Sequence, residues 1–437
     1  MNVKKFKDLI ESTQKYVWEN AETGYKEWKT HNYMKSVFES LGYEVTEAGN
    51  IPGFYTVLDT GREGPEVMIL AELDSLVCFN HPDSNKETGA VHCCGHSAQC
   101  AAMAGVAAAL KEEGALDGLS GRIRLVLVPA EELIEIEYRS KLKEEGVIKY
   151  FGGKSEFLHR GYFDGVDIAF MVHTTPAPKF LAIKGAVGMI TKKAVYKGVS
   201  AHAGGAPWNG KNALYAANAG LNAANAVRET FNDIDYIRFH PIITTGGTVV
   251  NAIPEKVVIE SYIRGLTYDA ILKANKRITK ALIGGALSLD NNIEIIDNPG
   301  YAPMVNNPVL LKLYGEAVEK LGYEFEYSDT IGTGSTDMGD LSQIMPAIHP
   351  YAPGASGTSH GDNYYITNTD TACVGSAEVQ LELLKMLLSD NAAKAKEIIK
   401  NFKPCFKSKK EYLDYIDSLE CSGDRITYTE EGATVRL

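Results

Sequence analysis

The sequence lacks any long apolar run. Its richest apolar segment, residues 98–110, falls short of the roughly 18–20 residues that a membrane-spanning helix needs, and its many alanines suit a buried helix. The N-terminal stretch MNVKKFKDLIESTQKYVWEN carries a charge every few residues and so lacks the apolar centre of a signal peptide. We therefore expect a cytoplasmic protein with no membrane partner.

Basic residues are scarce as well. The 44 Lys and Arg residues are outnumbered by 56 Asp and Glu residues, which gives a formal net charge of −12. Nucleic-acid-binding surfaces are usually basic, so this balance argues against a nucleic-acid partner. With 45% hydrophobic and 23% charged residues, the composition is that of a globular protein. A chain of this length suggests about two or three domains.

The cysteines do not form the pattern of a disulfide framework. Seven cysteines, an odd number, lie in a large chain that we expect to be cytoplasmic, so free thiols are expected. In the stretch VHCCGHSAQ, His92 and His96 flank the adjacent Cys93 and Cys94. Thiolate and imidazole at this spacing suit zinc or a similar ion, and core packing or a redox pair are the alternatives.

Several apolar runs that predict buried strands are followed by side chains able to bind metal. These are residues 67–71 before Glu72 and Asp74, residues 123–128 before Glu131 and Glu132, and residues 166–172 before His173. Helical patterns between the runs predict an α/β domain with a mostly parallel sheet, which binds ligands at the carboxyl ends of its strands. Adjacent glutamates on an extended backbone point to opposite sides, so one can bind a metal while the other handles a proton. A solvated acidic loop is the alternative.

The pattern of elements changes near Gly185. From there the predicted order is strand, helix, strand, strand, helix, strand, which is the ferredoxin-like order. We therefore predict a discontinuous α/β domain of residues 1–185 and 298–437, which carries the metal-competent side chains, with a ferredoxin-like α+β domain inserted at residues 186–297. His202 lies in the inserted segment and His360 in a Gly/Ser-rich stretch near the C-terminal end. Each of these histidines taken alone is more often structural than functional.

Together these segments resemble a known family, the di-metal amidohydrolases, aminoacylases and carboxypeptidases. The most similar branch contains the N-acyl-amino-acid and auxin-conjugate amidohydrolases and the aminobenzoyl-glutamate hydrolases. The resemblance runs over roughly residues 5–390 and is carried in order by AELDSL, HCCGHS, VPAEE, MVHTTP, VSAHAGGAPWNGKNAL and GGTVVNAIPEKVVIESYIRG, with support from GSTDMGDLSQIMPAIHPY and TSHGDNYY. Several short matches in one order are more specific than any one of them.

The resemblance implies a metal-dependent amidohydrolase. Its substrate would be an N-acyl amino acid or dipeptide-like molecule with a free carboxylate, cleaved by metal-bound water and a glutamate base. It also implies two divalent metal ions, with zinc preferred and manganese, cobalt or nickel as alternatives. It further implies a homodimer formed through the inserted lid domain. The implied site residues are the metal ligands Cys94, His96, Glu132, His173 and His360, the base Glu131, the acidic Asp74 near the metals, and His202, Asn251 and Arg264 for the substrate.

The sequence departs from the family pattern at three positions. Cys93 stands where alanine is usual, Ser97 where Asp or Asn is usual, and Gln99 where histidine is common. The choice of Cys94 over Cys93 as ligand rests on motif register, and the changes at 97 and 99 are expected to alter the surroundings of the metals. A catalytically silent metal- or ligand-binding protein and a thiol-redox protein are the alternative functions. Glu131 favours the enzyme, because a binding protein needs no base.

Overall fold

The computed structural model describes residues 2–437 and has a mixed α/β fold. Its helices are α1 Lys7–Glu19, α2 Trp28–Ser40, α3 His96–Leu110, α4 Ile136–Glu144, α5 Gly153–His159, α6 Ala213–Arg228, α7 Tyr268–Leu287, α8 Pro308–Lys320, α9 Met338–Ser342, α10 Ser376–Asn401 (kinked at 389–392) and α11 Lys409–Asp417. Within residues 2–437 none of these helices combines the length and apolar character needed to cross a bilayer.

The strands range from two to ten residues in length. They are β1 Thr46–Glu47, β2 Phe54–Asp59, β3 Glu66–Glu72, β4 Leu76–Val77, β5 Ala90–Val91, β6 Arg122–Val128, β7 Ile168–Phe170, β8 His173–Thr175, β9 Phe180–Ala186, β10 Gly188–Lys197, β11 Arg238–Thr245, β12 Lys256–Gly265, β13 Asn292–Pro299, β14 Met304–Val305, β15 Phe325–Gly332, β16 Ala347–Ile348, β17 Tyr351–Pro353, β18 Ala355–Ser356, β19 Tyr365–Ile366, β20 Ile426–Thr429 and β21 Gly432–Val435.

The chain divides into two compact units. Unit 1 contains the residues up to Gly185 with Met304–Gly332 and Thr336–Lys409, and unit 2 contains Ala186–Pro303, Thr333–Ser335 and Lys410–Leu437. The predicted division grouped residues 298–303, 333–335 and 410–437 with the first part of the chain, whereas they fall in unit 2. Asn298 and Pro299 continue β13, which pairs with β10, and the backbone of Cys421 exchanges two hydrogen bonds with Asp297, at 2.8 and 3.1 Å.

The central sheet of unit 1 has the strand order β1-β2-β6-β3-β7-β16. Strands β6, β3, β7 and β16 pair in parallel, and β1 and β2 add an antiparallel edge. Strand β3 is buried along its whole length, as expected for a central parallel strand covered on both faces. The alanine-rich helix α3 is also entirely buried and packs against β3, α1 and α10. The carboxyl end of β3 and the start of α3 lie beside the site described below.

The strand predicted over residues 166–172 differs from the observed one. Strand β7 ends at Phe170, and His173 begins the separate strand β8, which pairs in parallel with β17 in another sheet. The chain changes sheets here because the N–H of His173 donates to the carbonyl of Pro350 at 2.9 Å, just before β17. His173 therefore starts a strand, although the apolar run placed it at the end of one.

Unit 2 contains the six elements predicted for it, in the predicted order. Strands β10, β11, β12 and β13 form an antiparallel sheet of order β11-β12-β10-β13, with β11 at one edge. Helices α6 and α7 pack against each other and against this sheet. A Cβ atom on Gly285 would lie 2.2 Å from the backbone nitrogen of Gly220, so the close approach of the two helices requires glycine.

Candidate metal and active site

The turn that carries the predicted cysteine and histidine ligands connects β5 with α3. Gly95 separates Cys94 from His96 and adopts a left-handed φ of +99°. A Cβ atom on Gly95 would lie 2.1 Å from Oγ1 of Thr174, so both the backbone conformation and the available space require glycine. The turn therefore fixes Cys94 and His96 at the N-terminus of a buried helix.

The five predicted metal ligands form two overlapping groups of donor atoms. The first group contains Cys94, His96 and His173, and the second contains Cys94, Glu132 and His360. Within each group the donor atoms lie within 4.8 Å of one another. Cys94 belongs to both groups, and its Sγ lies 3.4 Å from Nε2 of His173. Either group would thus include the thiolate of Cys94 if it held a cation.

Hydrogen bonds orient the two imidazoles for metal binding. Nδ1 of His96 donates to the carbonyl of Asp74 at 2.8 Å, and Nδ1 of His173 donates to the carbonyl of Thr174 at 2.9 Å. Each Nε2 is therefore left with the lone pair that a metal requires. Nε2 of His96 and Oε1 of Glu132 are buried and make no hydrogen bond among residues 2–437. Their polar neighbours are other ligand-type groups, with Oε2 of Glu72 3.1 Å from Nε2 of His96 and Nε2 of His360 3.4 Å from Oε1 of Glu132. Such a crowd of donors, with buried atoms that make no hydrogen bond, is costly unless a ligand engages it, so these residues fit a pair of divalent cations.

The turn that carries the two adjacent glutamates is held by buried hydrogen bonds. Ala130, just before Glu131, has a left-handed φ of +58°. The N–H of Glu132 donates to Oδ2 of Asp74 at 2.8 Å. Arg139, only 1% exposed, donates to the carbonyl of Ala130 at 3.3 Å and to the carbonyl of Glu132. Asp74 thus contacts residues of both donor groups, and Arg139 holds the unusual backbone of the turn.

Burial changes the proton affinities in the site. The pKa of Glu131 is raised well above its usual value, first by burial and then by the nearby carboxylates of Glu72 and Glu132. Burial lowers the pKa of His173 to about 4, which favours the neutral imidazole that binds metals. Glu72, His96 and Glu131 form a third group of donor atoms within 4.8 Å of one another. In this part of the site, carboxylate side chains therefore outnumber positively charged side chains.

Cys93 and Cys94 belong to the same apolar cluster, but only Cys94 also belongs to a group of donor atoms. The side chain of Cys93 is fully buried in this cluster with Leu76, Val91 and Tyr364. Burial raises the pKa of the Cys93 thiol to about 12, and none of the donor groups among the described residues includes it. These surroundings favour the packing alternative for Cys93.

The three residues implied to bind substrate lie in unit 2, whereas the implied metal ligands belong to unit 1. Nδ1 of His202 accepts hydrogen bonds from the backbone N–H of Gly205 at 2.9 Å and of the preceding glycine at 3.2 Å, so the ring proton resides on Nε2. Arg264 lies on β12 and donates from Nη1 to Oγ of Ser335 at 2.9 Å. Asn251 lies in the connection between β11 and β12.

Sequence reasoning missed several buried polar residues near the site. It noted Glu72 at a strand end and Gln99 as a departure, and it gave neither Lys154 nor Asp337 a role. The structure buries all four, and Nζ of Lys154 lies 2.5 Å from Oε1 of Glu72. The Gly-Gly pair before Lys154 was the available signal, because consecutive glycines often mark a close approach of backbone.

Replacing Gly153 with alanine is expected to destabilise unit 1. A Cβ atom on Gly153 would lie 1.6 Å from the carbonyl oxygen of Pro129, just before the glutamate turn, so the backbone must move. We expect a loss of about 1–3 kcal/mol in unfolding free energy, measured by urea denaturation. Gly284→Ala is the matched control, since that position has no heavy atom within 4 Å. Equal denaturation midpoints for Gly153→Ala and the unsubstituted protein would contradict this packing.

Comparison with known proteins gives a family match over most of the chain. The family model described as "Peptidase family M20/M25/M40" matches residues 68–386. The human Xaa-Arg dipeptidase is 27% identical over 431 residues, covering 92% of this chain and 90% of that protein. The N-acetyl-L-cysteine deacetylase of Bacillus subtilis (strain 168) is 24% identical over 400 residues, covering 88% of this chain and 89% of that protein.

A solved structure has a similar fold. It belongs to a Bacillus subtilis protein described as a dinuclear metal binding peptidase from the M20 family. The two chains are 19% identical, the TM-score is 0.63, and the match covers 88% of this chain and 99% of the other. At this level of identity the likeness concerns the fold alone.

Proposed function

Because this chain belongs to peptidase family M20/M25/M40, we propose that it hydrolyses the amide bond of an N-acyl amino acid or dipeptide with a free carboxylate. Its family makes it a metal-dependent amidohydrolase or peptidase that acts on small molecules. The observation that carries the proposal is the convergence of five donors, from distant parts of the chain, on two groups that share Cys94. The names of the two relatives, a dipeptidase and an N-acetyl-amino-acid deacetylase, support the substrate class.

We propose that the two donor groups hold two divalent cations, with zinc as the preferred metal and manganese, cobalt or nickel as alternatives. A mixture of thiolate, imidazole and carboxylate donors suits a borderline ion such as zinc. Cations bound there would polarise the carbonyl of the substrate and lower the pKa of water from 15.7 toward about 7. The side chains of the protein would then bind and orient the substrate and transfer protons.

Glu131 is the proposed general base. Its Oε2 lies 4.0 Å from Nε2 of His96, whereas its neighbour Glu132 belongs to the other donor group. In this proposal Glu131 takes a proton from the attacking water and holds it while the carbonyl carbon becomes tetrahedral. It then delivers the proton to the leaving nitrogen, so that one side chain serves as base and acid in turn.

The proposal assigns substrate binding to unit 2. His202 carries its proton on Nε2 and can therefore donate a hydrogen bond to the oxyanion that forms during attack. Arg264 offers a planar guanidinium that can bind the free carboxylate through two parallel hydrogen bonds. The side-chain amide of Asn251 supplies a further polar contact.

Metal removal is expected to abolish hydrolysis reversibly. Purified full-length protein should contain two divalent ions per chain by elemental mass spectrometry. Dialysis against a chelator should stop the release of free amine from N-acetyl amino acids and dipeptides, among them N-acetylcysteine and Xaa-Arg dipeptides, and zinc or manganese should restore it. Activity that survives complete metal removal would contradict the proposal. Tightly bound metal without release of amine from any substrate of the panel would favour the silent-binder alternative.

We also propose a homodimer formed through unit 2. Strand β11 lies at an edge of the sheet, where it can pair with a second chain. Apolar side chains on and near it are exposed: Ile242 by 64%, Val249 by 56% and Val250 by 101%. Contiguous exposed apolar residues often mark a protein–protein interface.

Charged residues at this edge are expected to produce monomers. Sedimentation equilibrium should give twice the chain mass for the unsubstituted protein and the single chain mass for Ile242→Glu/Val250→Glu. Val309→Glu, which changes an exposed residue of unit 1, is the control and should leave the mass doubled. An unsubstituted protein that sediments as a monomer would refute the dimer.

A cytoplasmic location remains part of the proposal. All seven cysteines are free, including the exposed Cys405. Free thiols persist in a reducing compartment, and the proposed role of Cys94 requires its thiol to remain unoxidised.

A further inference from the structure

Four buried polar side chains next to the site form a continuous network, which we call the Glu72 network. Its members, Gln99, Glu72, Lys154 and Asp337, are each exposed by 3% or less. Nζ of Lys154 donates to Oε1 of Glu72 at 2.5 Å and also to the carboxylate of Asp337. The backbone N–H of Lys154 donates to Oδ2 of Asp337 at 2.9 Å. One ammonium group thus joins two buried carboxylates.

Gln99 fixes the same carboxylate from the other side. Its Oε1 accepts from the backbone N–H of Glu72 at 3.1 Å, and its Nε2 donates to Oε2 of Glu72 at 2.8 Å. A planar amide offers a donor and an acceptor in one plane, which matches these two groups of a single residue. The departure from the family pattern at position 99 is therefore tied to the orientation of Glu72.

The network ends at a proposed metal ligand. Oε2 of Glu72 lies 3.1 Å from Nε2 of His96, the ring nitrogen that faces Cys94 and His173. We infer that Lys154 is a positioning residue for the metal centre, which acts through Glu72 on His96. By holding Oε1 of Glu72, Lys154 keeps Oε2 beside the imidazole. This inference rests on the proposed function.

Stability alone does not account for such a network. Burying an ammonium and two carboxylates costs solvation free energy, and buried ion pairs are often no more stabilising than apolar side chains of similar volume. Residues that hold metal ligands, in contrast, tune metal affinity through the orientation of the ligand. Without Lys154, two like-charged carboxylates would face each other, and Glu72 would be free to turn toward the bound cations.

The test compares Lys154→Met with Lys154→Met/Asp337→Asn in the full chain. The double variant removes one positive and one negative charge, so the net charge of the network is restored. Metal-free protein is titrated with Co²⁺, and affinity and visible absorption spectrum are recorded together with the thermal midpoint. We expect the double variant to regain the thermal midpoint that the single variant loses. We also expect it to bind Co²⁺ about 10–100-fold more weakly than the unsubstituted protein, with altered absorption bands.

A double variant with unsubstituted Co²⁺ affinity and spectrum would overturn the inference, because Lys154 would then serve charge balance only. Asp337→Asn alone, which keeps the contact between Lys154 and Glu72, should retain the Co²⁺ spectrum. If neither Lys154 variant folds, Gln99→Leu replaces them, because it releases Oε2 of Glu72 without changing charge and should weaken Co²⁺ binding in the same range. Unsubstituted protein that binds no Co²⁺ would instead refute the metal centre itself, and the inference with it.

Discussion

Replacing Glu131 with glutamine is expected to lower kcat by about 10²–10⁴-fold, the contribution of a positioned general base. Glutamine keeps the shape of the side chain and cannot accept the proton of the attacking water. Both cations should remain bound, because Glu131 belongs to neither of the two donor groups that share Cys94. The measurements are steady-state release of amine and elemental analysis of the same preparation.

Two variants of the same acidic segment serve as controls. Glu132→Gln should lose metal as well as activity, since Glu132 lies in the donor group with Cys94 and His360. Glu135→Gln should retain both, since Glu135 forms an ion pair with Lys26 at the surface. Glu131→Gln protein with normal kcat would remove this residue from the proton transfer. Loss of metal from Glu131→Gln would instead make Glu131 a ligand.

Replacing Cys94 with alanine is expected to empty both metal positions. Cys94 is the one residue shared by the two groups of proposed ligands among residues 2–437, so its removal takes a donor from each. We expect each metal affinity to fall by more than about 100-fold, the upper range for changes to residues that merely support a ligand. Competition with a chromophoric chelator measures both affinities in one titration.

Cys93→Ala is the matched control for this experiment. The neighbouring thiol is fully buried and belongs to no donor group among the described residues, so its truncation should lower stability slightly and leave the metal content unchanged. The opposite result, with metal lost from Cys93→Ala and kept by Cys94→Ala, would show that the motif register is wrong by one residue.

Local patterns in the sequence predicted some parts of this molecule well. Strands β10 to β13 and helices α6 and α7 of unit 2 follow from alternating apolar residues in the strands and helical spacing in the helices, because each element has one face on a core. The glutamate pair and the turn with two cysteines also stood out, since their side chains are unusual in such positions. The structure brings Cys94 and Glu132 together, although no spacing rule links residue 94 with residue 132.

Other parts depend on contacts that no local pattern encodes. Lys154 reads as an ordinary surface lysine, and only the distant Asp337 and Glu72 make its burial tolerable. The change of sheet before His173 depends on a hydrogen bond to Pro350, far along the chain. The C-terminal tail is polar and mixed in sequence, and no local pattern indicates that the backbone of Cys421 pairs with Asp297. Long-range pairing of this kind is a property of the folded chain and not of a sequence window.

The wholly buried helix α3 has a consequence for synthesis on the ribosome. It has no water-facing side, and part of its cover is α10, which is translated more than 260 residues later. The sheet of β10 to β13 comes from one stretch of the chain and can therefore form before α10 is available to pack on α3. During this interval an alanine-rich apolar segment is exposed to solvent, and chaperones bind such surfaces. The order of emergence from the ribosome thus favours a nascent chain whose middle folds before its beginning.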